Sequence, residues 1–459
     1  MLSIKWKSAT ILSIACIVLF VLWLPGAGYP VVSDTAIYAL LGESLWQHGT
    51  YALFGVPYAK HLPLHAFVSY PFTAALGFHL GMKFASLVAG WFVLLGTYLV
   101  FRDAMARTIG LLAVVFLLLH HGFLLLTQLG SADLLFTALF LFSLWGFLRA
   151  QEDERWYLFA GVLAGLACLT RYNGLPLFPL YLGFVLFRRR DHLWSPWFWG
   201  GLVSGAVLLS LWFLRNALVF GNPLYTEYTG ELTAQAPSLI TQFLSNIVYY
   251  GNPLQNVLPV LLLFGIYGIV RGWRAHLFLV LAMLCVWILT AVWWVQALRF
   301  AFPGYPILLG FAAYGMIAAI RDVRRWPALT TLFLMILILG MHGFAICLYT
   351  YGACNARFDR VIGNIPGNLG LSSEGFYTWD LARDYIDAHA EEGAHVLVEG
   401  EINQVVWQQG VFREDLQIAG EQAGACPLYA ITQQPREGDN VLFATVAAPR
   451  TSVTLQRCP

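Results

Sequence analysis

The chain has 459 residues, of which 59% are hydrophobic, 15% aromatic and only 11% charged. This composition excludes a typical soluble domain and indicates a protein that crosses a membrane many times. The formal net charge of +1 gives no indication of nucleic-acid binding.

Apolar stretches long enough to cross a hydrocarbon core about 30 Å thick recur through the first 350 residues. The stretch from Trp156 to Phe187 has basic clusters at both ends, so we expect it to cross twice and to turn near 171–174. The sequence therefore predicts an α-helical polytopic protein with about eleven transmembrane helices and a retained first span. The stretches lie near residues 9–25, 81–101, 109–127, 131–149, 156–187, 197–220, 254–270, 276–296, 299–320 and 328–350.

Short gaps rich in lysine and arginine alternate with gaps that hold few of them. Because basic gaps face the cytoplasm, the alternation places the N-terminus inside and the C-terminus outside, in the inner or plasma membrane. The basic gaps contain Lys5 and Lys7, Arg102 and Arg107, Arg149 and Arg155, Arg188, Arg189 and Arg190, Arg271 and Arg274, and Arg321, Arg324 and Arg325.

The long first loop, residues 26–80, is predicted to be external and carries several ionisable side chains. They are Asp34, Glu43, Lys60, His61 and His65, and Asp133 lies at the same face where the third span turns into the fourth.

A carboxylate at the membrane surface costs several kcal/mol if it is desolvated without a partner. Asp34 and Asp133 therefore need cations, hydrogen bonds or a catalytic task. Asp34 also precedes a helical pattern, so helix capping stays open as its role, and a cap and a site can coincide.

Five cations lie at the predicted external face, against the charge preference. Snorkelling or pairing with a neighbouring carboxylate explains any one of them, but five on one face favour a shared anionic ligand. They are Lys60, Lys83, Arg171, Arg215 and Arg299. A further external loop with Glu227, Tyr228 and Glu231 is expected either to contact an acceptor or to be an ordinary interfacial loop.

Beyond Tyr351 the pattern becomes that of a soluble domain. One helical face is predicted over Phe376, Trp379, Ala382, Tyr385 and Ile386. Short strands are predicted at 395–398, 428–432, 441–446 and 452–455, and a helix at 402–409. Residues 352–459 are thus expected to form a small α/β domain that covers the membrane site or binds an acceptor, with Cys426 and Cys458 as the expected disulfide.

Several motifs of the membrane part occur in a recognisable order. They read VVSDTAIYALLGESLWQHGTY followed by YAKHLPLHAFVSYP, then QLGSADLLFTALFLF, LTRYNGLPLFP, LRNALVFGNPLY and LRFAFPGYPILLGFAAYG. In this order they resemble the GT-C glycosyltransferases, in particular the protein mannosyltransferase and aminoarabinose transferase group. The resemblance covers the whole membrane part, residues 1–351.

The resemblance implies that a polyprenyl phosphate carrying one sugar enters from the lipid and that the sugar moves to an acceptor at the external face. By motif position, Asp34 matches the first-loop aspartate, taken as a base or a metal ligand, and Asp133 matches the second acidic position. Both are the expected catalytic residues.

Cations that neutralise charge on a phosphate leaving group stabilise the transition state. Lys60 matches the lysine thought to hold the donor phosphate, and Arg299 matches a late-span arginine. Together with Arg171 and Arg215 they are the expected phosphate-binding residues.

The chain also departs from the family pattern. Thr35 follows Asp34 where relatives often have a second acid, and Ala59 precedes Lys60 where the aminoarabinose transferases have glutamate. No cofactor is therefore certain. A divalent metal held by Asp34, His61 and Asp133 stays open, and His65 is a further candidate ligand.

The expected function is an inverting transfer of a single sugar from a polyprenyl-phosphate donor to a lipid, glycan or protein acceptor. The alternatives are a transporter of polyprenyl-linked lipid or glycan, which needs no Asp34, and a ligase that moves a whole glycan from a diphosphate carrier.

Overall fold

The computed structural model describes residues 2–27, 31, 34–53, 55–228, 239–250, 259–293, 296–322, 327–345, 382, 384–398, 416–418, 428–432, 440–444 and 452–456. The membrane part is helical. Its helices are α1 Leu2–Trp23, α2 Asp34–His48, α3 Pro63–Leu76, α4 Phe78–Ala104, α5 Arg107–Leu118, α6 His121–Leu129, α7 Asp133–Arg149, α8 Trp156–Thr170, α9 Leu177–Arg188, α10 Pro196–Phe220, α11 Leu239–Tyr250, α12 Pro259–Gly272, α13 Leu277–Val292, α14 Leu298–Ala301, α15 Tyr305–Asp322 and α16 Pro327–Ala345.

Each predicted apolar stretch coincides with one or two of these helices. Within the described residues, four helices are long and apolar enough to cross a membrane, and the bent pair α5 and α6 makes a fifth if it forms one span. The four lie at Ser8–Gly26, Phe78–Ala104, Pro196–Phe220 and Leu298–Asp322. The other apolar helices are shorter than the roughly 20 residues of a full span. The fold is therefore that of a helical membrane protein, and the count of eleven spans stays a prediction.

The stretch predicted as one span near 109–127 is broken. The axes of α5 and α6 differ by 66°. The break lies at His120, whose backbone is extended, with φ −83° and ψ 114°. The His120 and His121 rings stack with their centroids 5.0 Å apart, and His120 packs against Tyr305 with its centroid at 5.2 Å. The bend thus seats both buried imidazoles in the helix bundle.

The predicted turn in the long stretch 156–187 is present. Helix α8 ends at Thr170, a 3-10 turn spans Tyr172–Gly174, and α9 begins at Leu177. Helices α8 and α10 pack so closely that a Cβ atom on Gly161 would overlap the Gly201 carbonyl. Small residues allow this approach between membrane helices. The packing fixes the end of α8, where Arg171 follows.

The long first loop, which was predicted to be external, is folded and packs against the corner between α6 and α7. It contains α2, α3 and a short hairpin of strands β1 Ala52–Leu53 and β2 Val56–Pro57. Gly130, with φ +73°, closes α6 in a left-handed conformation. Its carbonyl oxygen lies 2.9 Å from His65 Nε2, and the Thr35 hydroxyl donates to the Leu129 carbonyl at 2.8 Å. These bonds tie α2 and α3 to the start of α7.

The C-terminal region contains a mixed five-stranded sheet in the order β4-β3-β5-β7-β6. Its strands are β3 His395–Val398, β4 Gln417–Ile418, β5 Leu428–Thr432, β6 Val441–Ala444 and β7 Ser452–Gln456. The contacts β3–β4 and β3–β5 are parallel, whereas β5–β7 and β6–β7 are antiparallel. The four predicted strands are thus present, and β4 is additional.

The core of this sheet domain includes a residue of the first loop. Buried Ala382, Ile386, Val396 and Ile431 cluster with Ala36 of α2. Ala382 and Ile386 belong to the predicted helical face. The sheet domain therefore packs next to Asp34, which lies two residues from Ala36. Several predictions lie outside the described residues, namely the domain boundary at 351–352, Phe376, Trp379, the helix at 402–409, Glu231 and the pair Cys426 and Cys458.

Candidate active site

Asp34 opens helix α2 and lies between two basic side chains. Its Oδ2 is 3.0 Å from Arg299 Nη2, and its Oδ1 is 3.5 Å from His61 Nε2. The Asp34 side chain is 27% exposed, so the carboxylate has these partners and still borders open space. A carboxylate in such a position is available to an incoming hydroxyl group.

The charges around Asp34 keep it ionised. Burial by itself would raise the pKa of the Asp34 carboxyl. However, the hydrogen bond from His61 and the charges of Arg299, His61 and Arg171 outweigh burial and hold that pKa well below its usual range. Asp34 is therefore a carboxylate throughout the physiological pH range.

His61 is held firmly on its other sides. Its Nδ1 is 2.7 Å from the Tyr58 hydroxyl, and its backbone carbonyl accepts a hydrogen bond from the Tyr51 hydroxyl at 3.0 Å. The Tyr38 ring packs edge-on against it at 4.8 Å. When the Tyr58 hydroxyl donates to Nδ1, the imidazole proton is on Nε2 and faces Asp34. His61 is thus oriented to donate to the carboxylate.

Asp133, the other predicted catalytic residue, is almost completely buried at the start of α7. Its Oδ1 forms an ion pair with Arg171 Nη1, and its Oδ2 accepts a hydrogen bond from the Ser131 hydroxyl at 2.7 Å. Both carboxylate oxygens are thereby occupied. In this arrangement Asp133 holds the Arg171 guanidinium in place.

Phe300 connects the two ion pairs. The Arg171 and Arg299 guanidinium carbons lie 5.2 and 5.1 Å from the centre of its ring. Such cation–π contacts fix a guanidinium without neutralising it. Asp34, Asp133 and the two arginines therefore form one charge cluster around an aromatic ring, which we call the Phe300 cluster.

Lys60 and Arg215 lie on the loop side of the site. The Lys60 ammonium is 5.5 Å from the centre of the Tyr228 ring, and the Glu227 carboxylate accepts a 3.4 Å hydrogen bond from the backbone of Ala59. Residues 227 and 228 of the predicted external loop thus contact the segment that carries Lys60. Whether that loop contacts an acceptor or is an ordinary interfacial loop stays a prediction.

Arg215 has a different environment from the other predicted cations. It donates to the Tyr51 carbonyl at 2.8 Å and to Asn216 Oδ1 at 2.9 Å, and its guanidinium packs against Trp212 at 5.0 Å. These contacts anchor the backbone beside strand β1. Lys83 is buried and donates to the Gly26 carbonyl at 2.6 Å, near the end of α1. The five cations that were predicted to be external therefore do not all converge on one ligand.

The candidate metal ligands Asp34, His61 and Asp133 do not form a metal site in the described part of the chain. Among the described residues, no group of three or more histidine, cysteine, aspartate or glutamate side chains has the geometry of a metal site. His61 Nε2 faces Asp34, and the Asp133 oxygens are taken by Arg171 and Ser131. His65, the further candidate, bonds the Gly130 carbonyl. These donors do not fit a divalent ion, so we derive no chemistry from one.

Three residues of the site carry no sequence signal that could have identified them. Tyr58 orients His61 from three residues away, Tyr38 packs on its ring, and Phe300 separates the two arginines. Aromatic residues are common in every span of this chain. Only the tertiary fold distinguishes these three from the rest.

Comparison with known proteins gives a family match and a shared fold. Residues 60–213 match the family model of dolichyl-phosphate-mannose-protein mannosyltransferases, and this segment contains Lys60, Asp133 and Arg171. No curated protein sequence matches the chain.

Solved structures share the fold over nearly the whole chain. ArnT from Cupriavidus metallidurans bound to undecaprenyl phosphate is 13% identical, with a TM-score of 0.66, and 98% of each chain is covered. The oligosaccharyltransferase from Archaeoglobus fulgidus in complex with Zn and sulfate is 15% identical, with a TM-score of 0.56, covering 89% of this chain and 62% of the other. The family match and the fold confirm the predicted enzyme class: the chain is a membrane glycosyltransferase of the GT-C fold.

Proposed function

We propose that this enzyme transfers a single sugar from a polyprenyl-phosphate donor to an acceptor hydroxyl, with inversion at the anomeric carbon. The observation that carries the proposal is the partly exposed Asp34 carboxylate, fixed between Arg299 and His61 beside further cations. The cations suit a phosphate leaving group, and the carboxylate suits a nucleophilic hydroxyl.

The donor phosphate binds near Lys60, Arg171 and Arg299. These side chains belong to a predicted external loop, to the end of α8 and to α14, so they approach the site from three elements. ArnT, which has this fold over 98% of its length, was crystallised with undecaprenyl phosphate. That observation supports a lipid-linked donor here.

In the reaction, the acceptor oxygen attacks the anomeric carbon from the face opposite the phosphate. The bond between that carbon and the phosphate oxygen breaks, and its electron pair leaves with the polyprenyl phosphate. The hydroxyl proton passes to Asp34. One displacement of this kind inverts the configuration.

Arg299 couples donor binding to the strength of the base. In the ligand-free geometry its guanidinium holds the pKa of Asp34 low, which makes the carboxylate a weak base. A donor phosphate attracts the same guanidinium. When Arg299 turns toward the phosphate, the pKa of Asp34 rises, and the carboxylate becomes a stronger base only after the donor is bound.

Asp133 and His61 are positioning residues in this scheme. Asp133 keeps the Arg171 guanidinium against Phe300, ready for the phosphate. His61, oriented by Tyr58, holds one Asp34 oxygen so that the other faces the acceptor. Residues 227 and 228 and the sheet domain next to α2 border the space left for the acceptor.

We further propose that the site faces the outside of the cell's inner or plasma membrane, with the N-terminus in the cytoplasm and residues 352–459 outside. The alternation of basic gaps supports this orientation. A reporter that is active only in the cytoplasm, fused after Pro459, should give no signal, and a clear signal would overturn the orientation.

Sugar transfer is tested with purified full-length protein and a panel of polyprenyl-phosphate sugars. Mass spectrometry of the lipids and glycans that change in a deletion strain would choose the panel and the acceptor. Release of polyprenyl phosphate with one sugar on the acceptor, in the inverted configuration, is the expected result. A lipid-linked sugar that moves across the membrane unchanged would instead identify a transporter. Transfer of a whole glycan from a diphosphate carrier would identify a ligase.

A further inference from the structure

A cavity of about 350 Å³ lies at the end of the helix bundle opposite the Phe300 cluster. Helix α7 shows the separation: Asp133 is its first residue and Arg149, which lines the cavity, is its last. At 1.5 Å per residue the two positions are about 24 Å apart along the helix axis. The cavity is therefore a separate site from the candidate active site.

Several elements contribute charged residues to this cavity. The side chains come from the end of α4, the end of α7 and the turn after it, the end of α9 and the turn before α13. Four arginines face two carboxylates, so the wall carries an excess of positive charge. These residues are Asp103, Arg149, Glu152, Arg188, Arg189 and Arg274.

Two of the four arginines already have carboxylate partners. Arg149 Nη1 is 3.3 Å from the Glu152 carboxylate, and Arg189 Nη2 is 3.3 Å from the Asp191 carboxylate. Asp103, the other acid of the wall, accepts hydrogen bonds from Arg102 and from the Trp145 indole. The acids of the wall are thus satisfied by these neighbours.

Arg188 and Arg274 are exposed at the cavity and have no carboxylate partner among the described residues. The Arg274 guanidinium lies 5.3 Å from the centre of the Trp273 ring, which leaves its charge intact. Two uncompensated guanidinium groups on the wall of one cavity match a phosphate group, to which arginine donates in a bidentate geometry.

The surroundings place the cavity at the membrane surface. The Trp145 indole bonds Asp103, and the Arg149 guanidinium lies 5.8 Å from the centre of the Trp156 ring. Tryptophan is enriched at the headgroup level of membranes, and basic pockets between membrane helices bind anionic headgroups. Apolar Phe184 and Phe278 line the cavity on the side of the bundle.

We propose that this cavity binds a phosphate group, supplied by an anionic lipid headgroup or by a free phosphate compound, through Arg188 and Arg274. The site is independent of the donor phosphate at Arg299. It gives the enzyme a second phosphate-binding position at the opposite membrane face.

The test measures binding to purified full-length protein by native mass spectrometry and by the shift in its unfolding temperature. The probes are phosphatidylglycerol, phosphatidylcholine, glycerol phosphate and inorganic phosphate. The cavity variant is Arg188→Gln with Arg274→Gln. The matched control is Arg155→Gln with Arg190→Gln, which removes the same charge from exposed positions of the same face that do not line the cavity.

Phosphatidylglycerol should bind the wild-type protein better than phosphatidylcholine. In the cavity variant this affinity should fall by about tenfold or more, because both guanidinium groups that would hold the phosphate are removed. The control variant Arg155→Gln with Arg190→Gln should keep the wild-type affinity for phosphatidylglycerol, and so should Lys60→Ala. Binding of glycerol phosphate or inorganic phosphate at equal strength would identify a free compound as the ligand. Unchanged affinity in the cavity variant, an equal loss in the control, or loss in Lys60→Ala would each overturn the proposal.

Discussion

Charged side chains are arranged differently at the two ends of helix α7. At Asp133, carboxylates and guanidiniums are paired with each other and packed around Phe300. At Arg149, the wall of the cavity keeps the guanidiniums of Arg188 and Arg274 without carboxylate partners in the described part of the chain. Both ends contain several arginines, and a count of arginines alone would treat the two ends as equivalent.

The difference fits the two kinds of phosphate recognition proposed above. Where a reaction takes place, the cations have to be fixed before the substrate arrives, and pairing with carboxylates fixes them. Where only binding is needed, unpaired cations attract the anion directly. Variants at one end should therefore change turnover, and variants at the other should change lipid binding. The predictions below test that separation.

The largest effect is expected for Asp34→Asn. Asparagine keeps the size of aspartate and is about as good at a helix start, so the protein should remain folded. It cannot accept the hydroxyl proton, and transfer should fall by roughly two to four orders of magnitude. The measurement is kcat with a saturating donor, and Glu43→Gln on the exposed side of the same helix is the matched control. A wild-type rate for Asp34→Asn would reduce Asp34 to a structural residue.

The next effect is expected for the phosphate contacts. Lys60→Ala and Arg299→Ala should each lower turnover by roughly two to three orders of magnitude, because each removes a positive charge from the leaving group. The checks are single-turnover transfer and a folding assay, with Arg155→Ala as a control at the opposite end of the bundle. Arg299→Lys retains the charge and separates loss of charge from loss of fold. Full activity in both alanine variants would mean that these cations only anchor the surface.

Some features of the fold could be predicted from the sequence, and others could not. The apolar stretches, the turn at 171–174 and strands such as 395–398 and 428–432 follow from local periodicity and appear in the fold. The bend at His120 does not, because an apolar run fixes helix formation but not where the helix breaks. The alternation of basic gaps predicted that these gaps lie on one face, but it could not show which arginines line the same cavity.

Contacts within the site depend on the tertiary fold. Asp34 and Arg299 are far apart in the chain and meet only because the first loop docks on the start of α7. For the same reason, sequence treated Lys83 and Arg215 as equivalent to Arg299, whereas the first bonds the Gly26 carbonyl and the second the Tyr51 carbonyl. Motif order predicted the two acids as site residues, and that role stays a prediction, whereas their burial and their pairing could be seen only in the structure.

A third prediction concerns the acid stability of the active end. Burial lowers the pKa of His65 from 6.5 to about 4, although its bond to the Gly130 carbonyl opposes the shift. The folded state therefore resists protonation that the unfolded chain accepts below pH 6.5. The stability that comes from neutral His65 is complete above pH 6.5 and is lost progressively as the pH falls toward 4.

In His65→Gln, the unfolding temperature should depend less on pH between pH 6.5 and pH 4. Glutamine keeps a hydrogen-bond donor for the Gly130 carbonyl and does not titrate in this range. Exposed His48→Gln is the matched control. The double variant Arg188→Gln with Arg274→Gln, at the other end of the bundle, should leave the slope of unfolding temperature against pH unchanged. An equal slope in wild type and His65→Gln would show that another group controls acid stability.

The smallest effect is expected for the residues that orient Asp34. His61→Gln keeps a donor without the imidazole, and Tyr58→Phe removes only the hydroxyl that fixes the ring. We expect His61→Gln to lower kcat by about tenfold, as for the loss of one oriented hydrogen bond, and Tyr58→Phe to lower it less. The donor KM should hardly change in either variant, because neither group is proposed to touch the phosphate.

A structural role alone would not move the pH profile, so the profile provides the decisive measurement. His61 is one of the groups that hold the pKa of Asp34 low. Without it that pKa rises, and the acidic limb of kcat/KM should move to higher pH in His61→Gln. Tyr70→Phe, which removes an exposed hydroxyl of the same loop, should leave both rate and profile unchanged. A His61→Gln variant that is slow but keeps the wild-type acidic limb would mean that His61 supports the loop and does not act on Asp34.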